Sequence, residues 1–438
     1  MNAETPGMPV LLAKMDSEVV PNGMTAPRNV AVIGAGILGM STAIHLQRDG
    51  HQVTVIDARA PGTGTSFGNA GGIVTGAVTP TSTPSLWKEI PSMLLDPMHP
   101  VRIRWLYLPR LAPWLTRFLL AGRPGRVTEI ARALMPLVTR AYDAHRELVE
   151  LAGVHDVVRP VGWLKVYEKE SGFAGSALER RLMTEQGIKF DVLNPDELRQ
   201  LEPNLAPRYV KGLFQPDSAF VSQPIRLVEG FVRHFLGAGG HIFQERVRTL
   251  VPVEGRGVCV RSELGIRQFD IVVVAAGAWS RELAAQIGDR ISLDTERGYH
   301  LNIEPGESGE LRRPVVFPER WFALAPMQDG YRLTSGIELA GLHAPPDFSS
   351  IYKLLPSARE ALPGLSDRVT REWIGYRPST PDSLPVIGRS PRCASVIYAF
   401  GHGHLGMTLG PITGRLATAL ASGRQPEIDL APYRPDRF

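Results

Sequence analysis

The pattern of apolar and polar positions marks the elements of this chain before any motif is considered. Asn29–Ile33 is a short β-branched run and reads as a buried strand. A helical pattern follows through Ile44 and Leu46 to Asp49-Gly50, and a second apolar run, Val53–Ile56, ends on Asp57. Far along the chain, Ile271–Gly277 is apolar throughout, as a parallel strand covered on both faces would be. Ser395–Phe400 repeats that pattern and leads into a helical segment to about Ser422. One sheet is therefore expected to collect strands from three distant parts of the chain. Between them the pattern predicts helices over 127–152, 173–186, 224–237 and 350–362. It predicts strands at Trp163–Tyr167, around 241–251, at Leu301–Ile303, Trp321–Ala325 and Tyr331–Ser335, and a last one running into Tyr376.

Length and composition narrow the class. At 438 residues, two domains are the natural expectation. The 43% apolar and 21% charged residues fit a soluble protein with a real core. No apolar run approaches the roughly 20 residues that a bilayer span needs. A formal net charge of +4 slightly favours small anionic ligands or an anionic membrane surface, and it does not argue for nucleic acid. Two cysteines, Cys259 and Cys393, lack metal-type spacing and suit a reducing compartment. Residues 1–28 show no basic-then-apolar signal pattern and are expected to form a poorly ordered extension. The expected location is cytoplasmic.

The turn after the first strand carries the chemistry. Gly34-Ala-Gly36-Ile37-Leu38-Gly39 lies between a strand and a helix, with Asp57 closing the second strand, which is the βαβ dinucleotide fingerprint in its required context. Gly34 permits the tight turn, Gly36 lets backbone approach a pyrophosphate, and Gly39 lets helix and strand pack closely. The helix N-terminus offers free N–H groups to that pyrophosphate, and Asp57 can accept from ribose hydroxyls. Thr65–Gly72 then forms a small-residue loop that could lie against a flat ring or a phosphate.

The full ordered set is more specific than a nucleotide fold. The fingerprint is followed by Gly68-Asn69-Ala70-Gly71, by Ala275-Ala276-Gly277-Ala278-Trp279, by Gly375-Tyr376-Arg377-Pro378 with its Pro381-Asp382-Ser383-Leu384-Pro385 continuation, and by Gly401-His402-Gly403-His404-Leu405-Gly406-Met407-Thr408. This set resembles the D-amino-acid oxidase superfamily of flavoproteins, and within it the bacterial D-amino-acid dehydrogenases, over about residues 29–432. The resemblance implies an α/β protein with a Rossmann-like FAD-binding domain, discontinuous in sequence (29–85, 205–290 and 378–432). It implies a second, α+β substrate domain on a mainly antiparallel sheet (86–204 and 291–377).

The resemblance also assigns expected roles. Arg377 would pair with a substrate carboxylate, for which a planar, permanently charged guanidinium is suited. Tyr299 and His300 would line the substrate pocket. Ser66, Asn69, Ala70, Gly71, Gly72, Val247, Ala276 and Gly277 join the fingerprint residues as the expected cofactor set. Gly403, His404 and Leu405 would lie beside the flavin, with the N–H groups of Gly406, Met407 and Thr408 opening a helix toward its pyrimidine edge. Neither cysteine falls in these motifs, so the FAD is expected to be non-covalent. The implied reaction takes hydride from Cα of a D-amino acid or cyclic imino acid to flavin N5. The imine hydrolyses to a 2-oxo acid, and the electrons pass to a respiratory-chain acceptor such as a quinone. His300 and His402 are both candidates to deprotonate the substrate ammonium.

Other readings stay open on the sequence. Within the superfamily these are an oxygen-using glycine or sarcosine oxidase and a D-proline or hydroxy-D-proline dehydrogenase; outside it, a non-catalytic FAD-binding subunit of a complex. His402 and His404 invite a metal reading, but His-x-His lacks the further ligands a site needs, so no metal is expected. Residues 97–128 hold Arg102, Arg104, Arg110, Arg117, Arg123 and Arg126, no acids, and interleaved Trp105, Tyr107, Trp114 and Phe118. Such a stretch suits peripheral contact with the inner face of the cell membrane. Pro109 and Pro113 are expected to break any long helix there. Oligomeric state is not legible.

Overall fold

A computed structural model describes residues 26–86, 101–307 and 309–438. The six-stranded sheet is built as the sequence suggests, from pieces far apart in the chain. Its order is His241–Gln244, Gln52–Asp57, Asn29–Ile33, Ile271–Val274, Val396–Phe400 and Val386–Arg389. The first five run parallel and the last is antiparallel. Val30, Ala31, Val32, Val272, Val273 and Ile397 are fully buried, because both faces of the parallel sheet are covered, one by helices and the other by the three-stranded sheet Val247–Val253, Gly257–Ser262 and Ile266–Phe269 with helix Ser280–Ile287. Helices Ile37–Arg48 and Gly406–Ala421 pack together on one face, and the 29-residue helix Pro124–Ala152 packs against the second of them.

A second sheet of nine strands is mainly antiparallel. Its main order is Val369–Ser379, Asp294–Ile303, Gly330–Leu339, Phe322–Met327, Val315–Phe317, Trp163–Tyr167, Lys211–Gln215 and Asp191–Leu193, with Val101–Ile103 paired to Gly330–Leu339. The two parallel pairings are Val315–Phe317 with Trp163–Tyr167 and Val101–Ile103 with Gly330–Leu339. The architecture is therefore α/β with a second, α+β part, as expected.

Several local expectations need adjustment. Lys211–Gln215 lies in the segment grouped with the dinucleotide sheet, yet it pairs with Trp163–Tyr167 in the antiparallel sheet. The expected strand at Leu301–Ile303 is the end of a ten-residue strand, Asp294–Ile303, every residue of which is buried. The basic stretch forms a helix, Leu108–Ala121, that runs through Pro113. Pro109 occupies its first turn, where a missing N–H costs little, and Pro113 removes one further bond without ending the helix. Arg102 and Arg104 are paired to Asp347 and Glu338 rather than solvated alone. Residues 97–100 of that stretch lie outside the described residues. Among the described residues, no helix is long and apolar enough to cross a membrane.

Candidate active site

A cavity of about 1120 Å³ is lined by residues of both main sheets. That exceeds the roughly 300–1,000 Å³ usual for drug-sized ligands, leaving room for an extended dinucleotide beside a small substrate.

The nucleotide end is shaped by the first turn. Gly34 has φ +115° and its N–H donates to Ile56 O at 2.8 Å, a conformation that L side chains rarely adopt. A Cβ on Gly39 would lie 1.8 Å from Gly34 O, so the helix can approach the turn only there. Gly36, by contrast, has open space in front of it: Ser66 Oγ, at 3.2 Å from its ideal Cβ, is the one atom within 4 Å. Ser66 Oγ accepts from Ile37 N at 3.0 Å, which leaves the amides of Leu38 and Gly39 without an intrahelical acceptor. Asp57 is held by Ala35 N at 2.7 Å and Arg59 N at 2.9 Å, and its remaining lone pairs can accept from ribose hydroxyls. Val247, Ala276 and Gly277 line the same end.

The ring end joins the two extremes of the chain. Thr408 Oγ1 donates to Gly72 O at 3.0 Å and accepts from Val74 N at 3.3 Å. Asn69 Oδ1 accepts from Gly71 N at 2.8 Å, and Arg332 Nη1 donates to Asn69 O at 2.6 Å, so the antiparallel sheet holds the small-residue loop in place. Helix Gly406–Ala421 starts where the sequence suggests, after a 3-10 turn at Gly403–Leu405. His402 Nε2 bonds Thr413 Oγ1 at 2.8 Å, while its buried Nδ1 has no partner among the described residues although the residue lines the cavity. The open cradle at Gly36 and this orphaned nitrogen both fit a dinucleotide that ends in a polar ring. Cys259 and Cys393 do not line the cavity.

Arg377 also lines the cavity. Its guanidinium lies over Gly298, where an added Cβ would come within 2.2 Å of Nη1. One hydrogen bond of 3.4 Å, from Nη1 to Gly336 O, is the only one recorded for it among the described residues. Burial lowers its pKa from the ordinary value and the facing Glu296 opposes that shift, so the group stays cationic. Glu296, directly across the strand pair from Arg377, receives a hydrogen bond from His404 Nε2 at 2.8 Å. Burial alone would raise the Glu296 carboxyl; the bond and charge of His404, with the charge of Arg377, bring it below the usual carboxylate range.

Two expected pocket residues sit elsewhere. Tyr299 points to the other face of the strand, into the core of the antiparallel sheet, and its hydroxyl bonds Glu338 Oε2 at 2.5 Å. His300 is buried against Gly68 O at 3.1 Å and stacked on Trp373 with ring centres 4.9 Å apart. Neither lines the cavity. Burial, reinforced by the charge of Arg332, lowers His300 to about 3, and burial lowers His402 to about 3. Gly39 and Gly71 lie behind the wall, and the other expected cofactor residues line it. Sequence reasoning missed Glu296, Gly298, Trp373 and the Arg59–Trp279 stack at 4.7 Å. A charged alternation at Asp294–Arg297 was the available signal for the first of these.

The comparisons with known proteins agree with this architecture. A D-amino-acid oxidase from Bradyrhizobium diazoefficiens is 38% identical over 425 residues, covering 95% of this chain and 100% of that protein. A D-amino acid dehydrogenase from Vibrio vulnificus is 28% identical, covering 92% and 99%. Among solved structures, glycine oxidase from Geobacillus kaustophilus superposes with a TM-score of 0.72 at 22% identity, over 94% of this chain and 99% of that one. L-proline dehydrogenase from P. horikoshii gives 0.72 at 19%, over 95% and 98%. The DAO model, described as FAD dependent oxidoreductase, matches residues 29–420, and the chain belongs to that family of FAD-using enzymes.

Proposed function

We propose that this enzyme oxidises the C–N bond of a D-amino acid or a cyclic imino acid to an imine, which water hydrolyses to the 2-oxo acid. The observation that carries the reading is Arg377, a cavity-wall guanidinium with one long internal hydrogen bond and room to grip a carboxylate in a bidentate pair. The names of the relatives at 38% and 28% identity support the D-amino-acid class. FAD, when bound, supplies the two-electron acceptor for the Cα–H bond. Arg377 fixes the carboxylate, Gly298 leaves the guanidinium its place, and Trp373 walls the site. Orientation of this kind accounts for much of the rate, and no side-chain nucleophile is needed. The test is bleaching of the flavin under nitrogen across D- and L-amino acids, D-proline, hydroxy-D-proline, sarcosine and glycine. Bleaching only by L-amino acids, or by none, overturns the reading.

For the electrons leaving the enzyme, we propose a membrane quinone reached by peripheral contact. Trp105 and Leu106, 62% and 99% exposed, precede the helix that carries the exposed Arg110 and Arg117 and support contact with an anionic bilayer. The second reading, dioxygen, is favoured by the oxidase name of the 38% identical relative. Peroxide yield per substrate oxidised, with and without a quinone analogue, separates the two.

A further inference from the structure

We propose that His404, oriented by Glu296, is the base that takes the proton from the substrate ammonium. This rests on the amino-acid reading above and deepens it. Two histidines were candidates on the sequence, and the structure favours neither. His300 is outside the cavity wall, between Gly68 and Trp373. His402 reaches the wall, but it is 3% exposed and tied to Thr413.

His404 has what they lack. It forms part of the cavity wall, its side chain is 42% exposed, and it stands on the same loop that opens the helix at Gly406. Its Nε2 lies 2.8 Å from Glu296 Oε2, and Glu296 is only 4% exposed. A buried, ionised carboxylate accepts, so Nε2 carries the hydrogen and Nδ1 holds the lone pair of the neutral ring. Among the described residues no partner is recorded for Nδ1. The arrangement is the familiar carboxylate–imidazole pair in which the acid fixes the tautomer and stabilises the charged ring. Across the strand pair from Glu296 stands Arg377, so the carboxylate anchor and the base share one acid.

Glu296 faces His404 from strand Asp294–Ile303 and Arg377 from strand Val369–Ser379, and His402 shares its loop. Asp294, with Tyr107 bonded to it at 3.0 Å, lies two pairs further along the strand.

The step balances simply. An ammonium N–H bond breaks, its electron pair stays on nitrogen, and the proton moves to His404 Nδ1 and then to water. That lone pair forms the C=N bond as the Cα–H pair leaves as hydride to the bound FAD.

The test uses the holoenzyme and its His404→Asn and Glu296→Gln variants. Anaerobic stopped-flow reduction by a D-amino acid is followed from pH 5 to 10, and histidine-labelled holoenzyme is titrated by NMR. His404→Asn is expected to keep its FAD absorbance and to reduce its flavin about 100-fold more slowly at pH 7. Its rate should recover at alkaline pH, where free amine is supplied by solvent. Glu296→Gln removes the carboxylate that holds the ring, so the ionisation in the rate profile must change. The NMR signal lost in His404→Asn must move with it. A merely structural role would shift neither. If the parent flavin is reduced normally and His404→Asn shows the parental profile, or the His404 signal does not follow the kinetic ionisation, the proposal is overturned alone. If no amino acid reduces the parent flavin, the functional reading fails and takes this inference with it. Should His404→Asn lose its flavin, the Glu296→Gln profile and the parent titration decide by the same criteria.

Discussion

Arg377 lies in the space that a side chain at residue 298 would fill, so Gly298 sets where the guanidinium sits. An ideal Cβ on Gly298 comes within 2.2 Å of Nη1 and 2.3 Å of Cζ. Gly298→Ala should therefore push Arg377 aside while leaving the cofactor site intact. Losing one well-formed, charge-assisted hydrogen bond, on the order of 1.5–3 kcal/mol, predicts a roughly 10- to 100-fold fall in kcat/KM. Flavin absorbance and steady-state kinetics on the same sample check this.

Direct substitution of Arg377 should be more severe. Arg377→Ala and Arg377→Lys should both retain FAD, with kcat/KM at least ~100-fold lower for the alanine variant. The lysine variant keeps the charge but loses the planar fork, so it should recover only part of the loss. An unanchored carboxylate also lets Cα–H swing away from its acceptor, so saturating substrate should not restore the limiting reduction rate. Parental rate and affinity in Arg377→Ala would assign the carboxylate to another residue.

How far the sequence speaks depends on how local the signal is. The unit from Asn29 to Asp57 is legible because spacing, glycine positions and the closing acid all lie within one βαβ module. The helix at Gly406 is legible for the same reason. Glu296 was not, since acids and Arg297 inside a fully buried strand read as surface, and their compensation comes from strands and loops distant in sequence. His404 was placed near the cofactor by its motif, while its partner stands 108 residues earlier. Tyr299 and His300 failed as wall residues through strand geometry. Tyr299 faces the opposite side of the sheet from Gly298, and His300, on the Gly298 side, is capped by Gly68 and Trp373.

The open ground in front of Gly36 predicts a separation of folding from cofactor binding. In Gly36→Ala the added Cβ meets only Ser66 Oγ among the described residues, at 3.2 Å, but intrudes where a pyrophosphate approaches the backbone. The variant should be folded by circular dichroism and colourless. Heating the parent protein should release yellow flavin into the supernatant; flavin retained on the precipitated chain would show a covalent link.

His145 predicts how stability responds to acid. It is fully buried, donates to Met407 O at 2.7 Å, and burial lowers its pKa to about 4 from 6.5, with that bond acting in opposition. The unfolded chain takes up the proton first, so stability is full above about pH 6.5 and is lost as pH falls through 4. The loss is on the order of 3 kcal/mol. His145→Gln keeps a donor without a titrating ring. Its denaturant midpoint should be flatter than the parent's between pH 6.5 and 4.

The exposed Trp105–Leu106 pair predicts surface partition. Replacing both with Ser should weaken binding to vesicles containing anionic lipid without changing anaerobic flavin reduction. Unchanged sedimentation with vesicles at low salt would remove the bilayer as the docking surface.

The hydroxyl of Thr408 clamps Gly72 and Val74 across 336 and 334 residues of chain, and Val396–Phe400 completes the row of strands beside Ile271–Val274. During synthesis, then, the fingerprint emerges early and must wait for nearly the whole chain before its sheet has its last parallel neighbour. Until that moment the edge of Ile271–Val274 is an unpaired template for other chains, and long-range parallel pairing of this kind is slow. The vulnerable species is the chain made as far as residue 395, and a ribosome stalled before codon 396 would present a strand edge with nothing to close it.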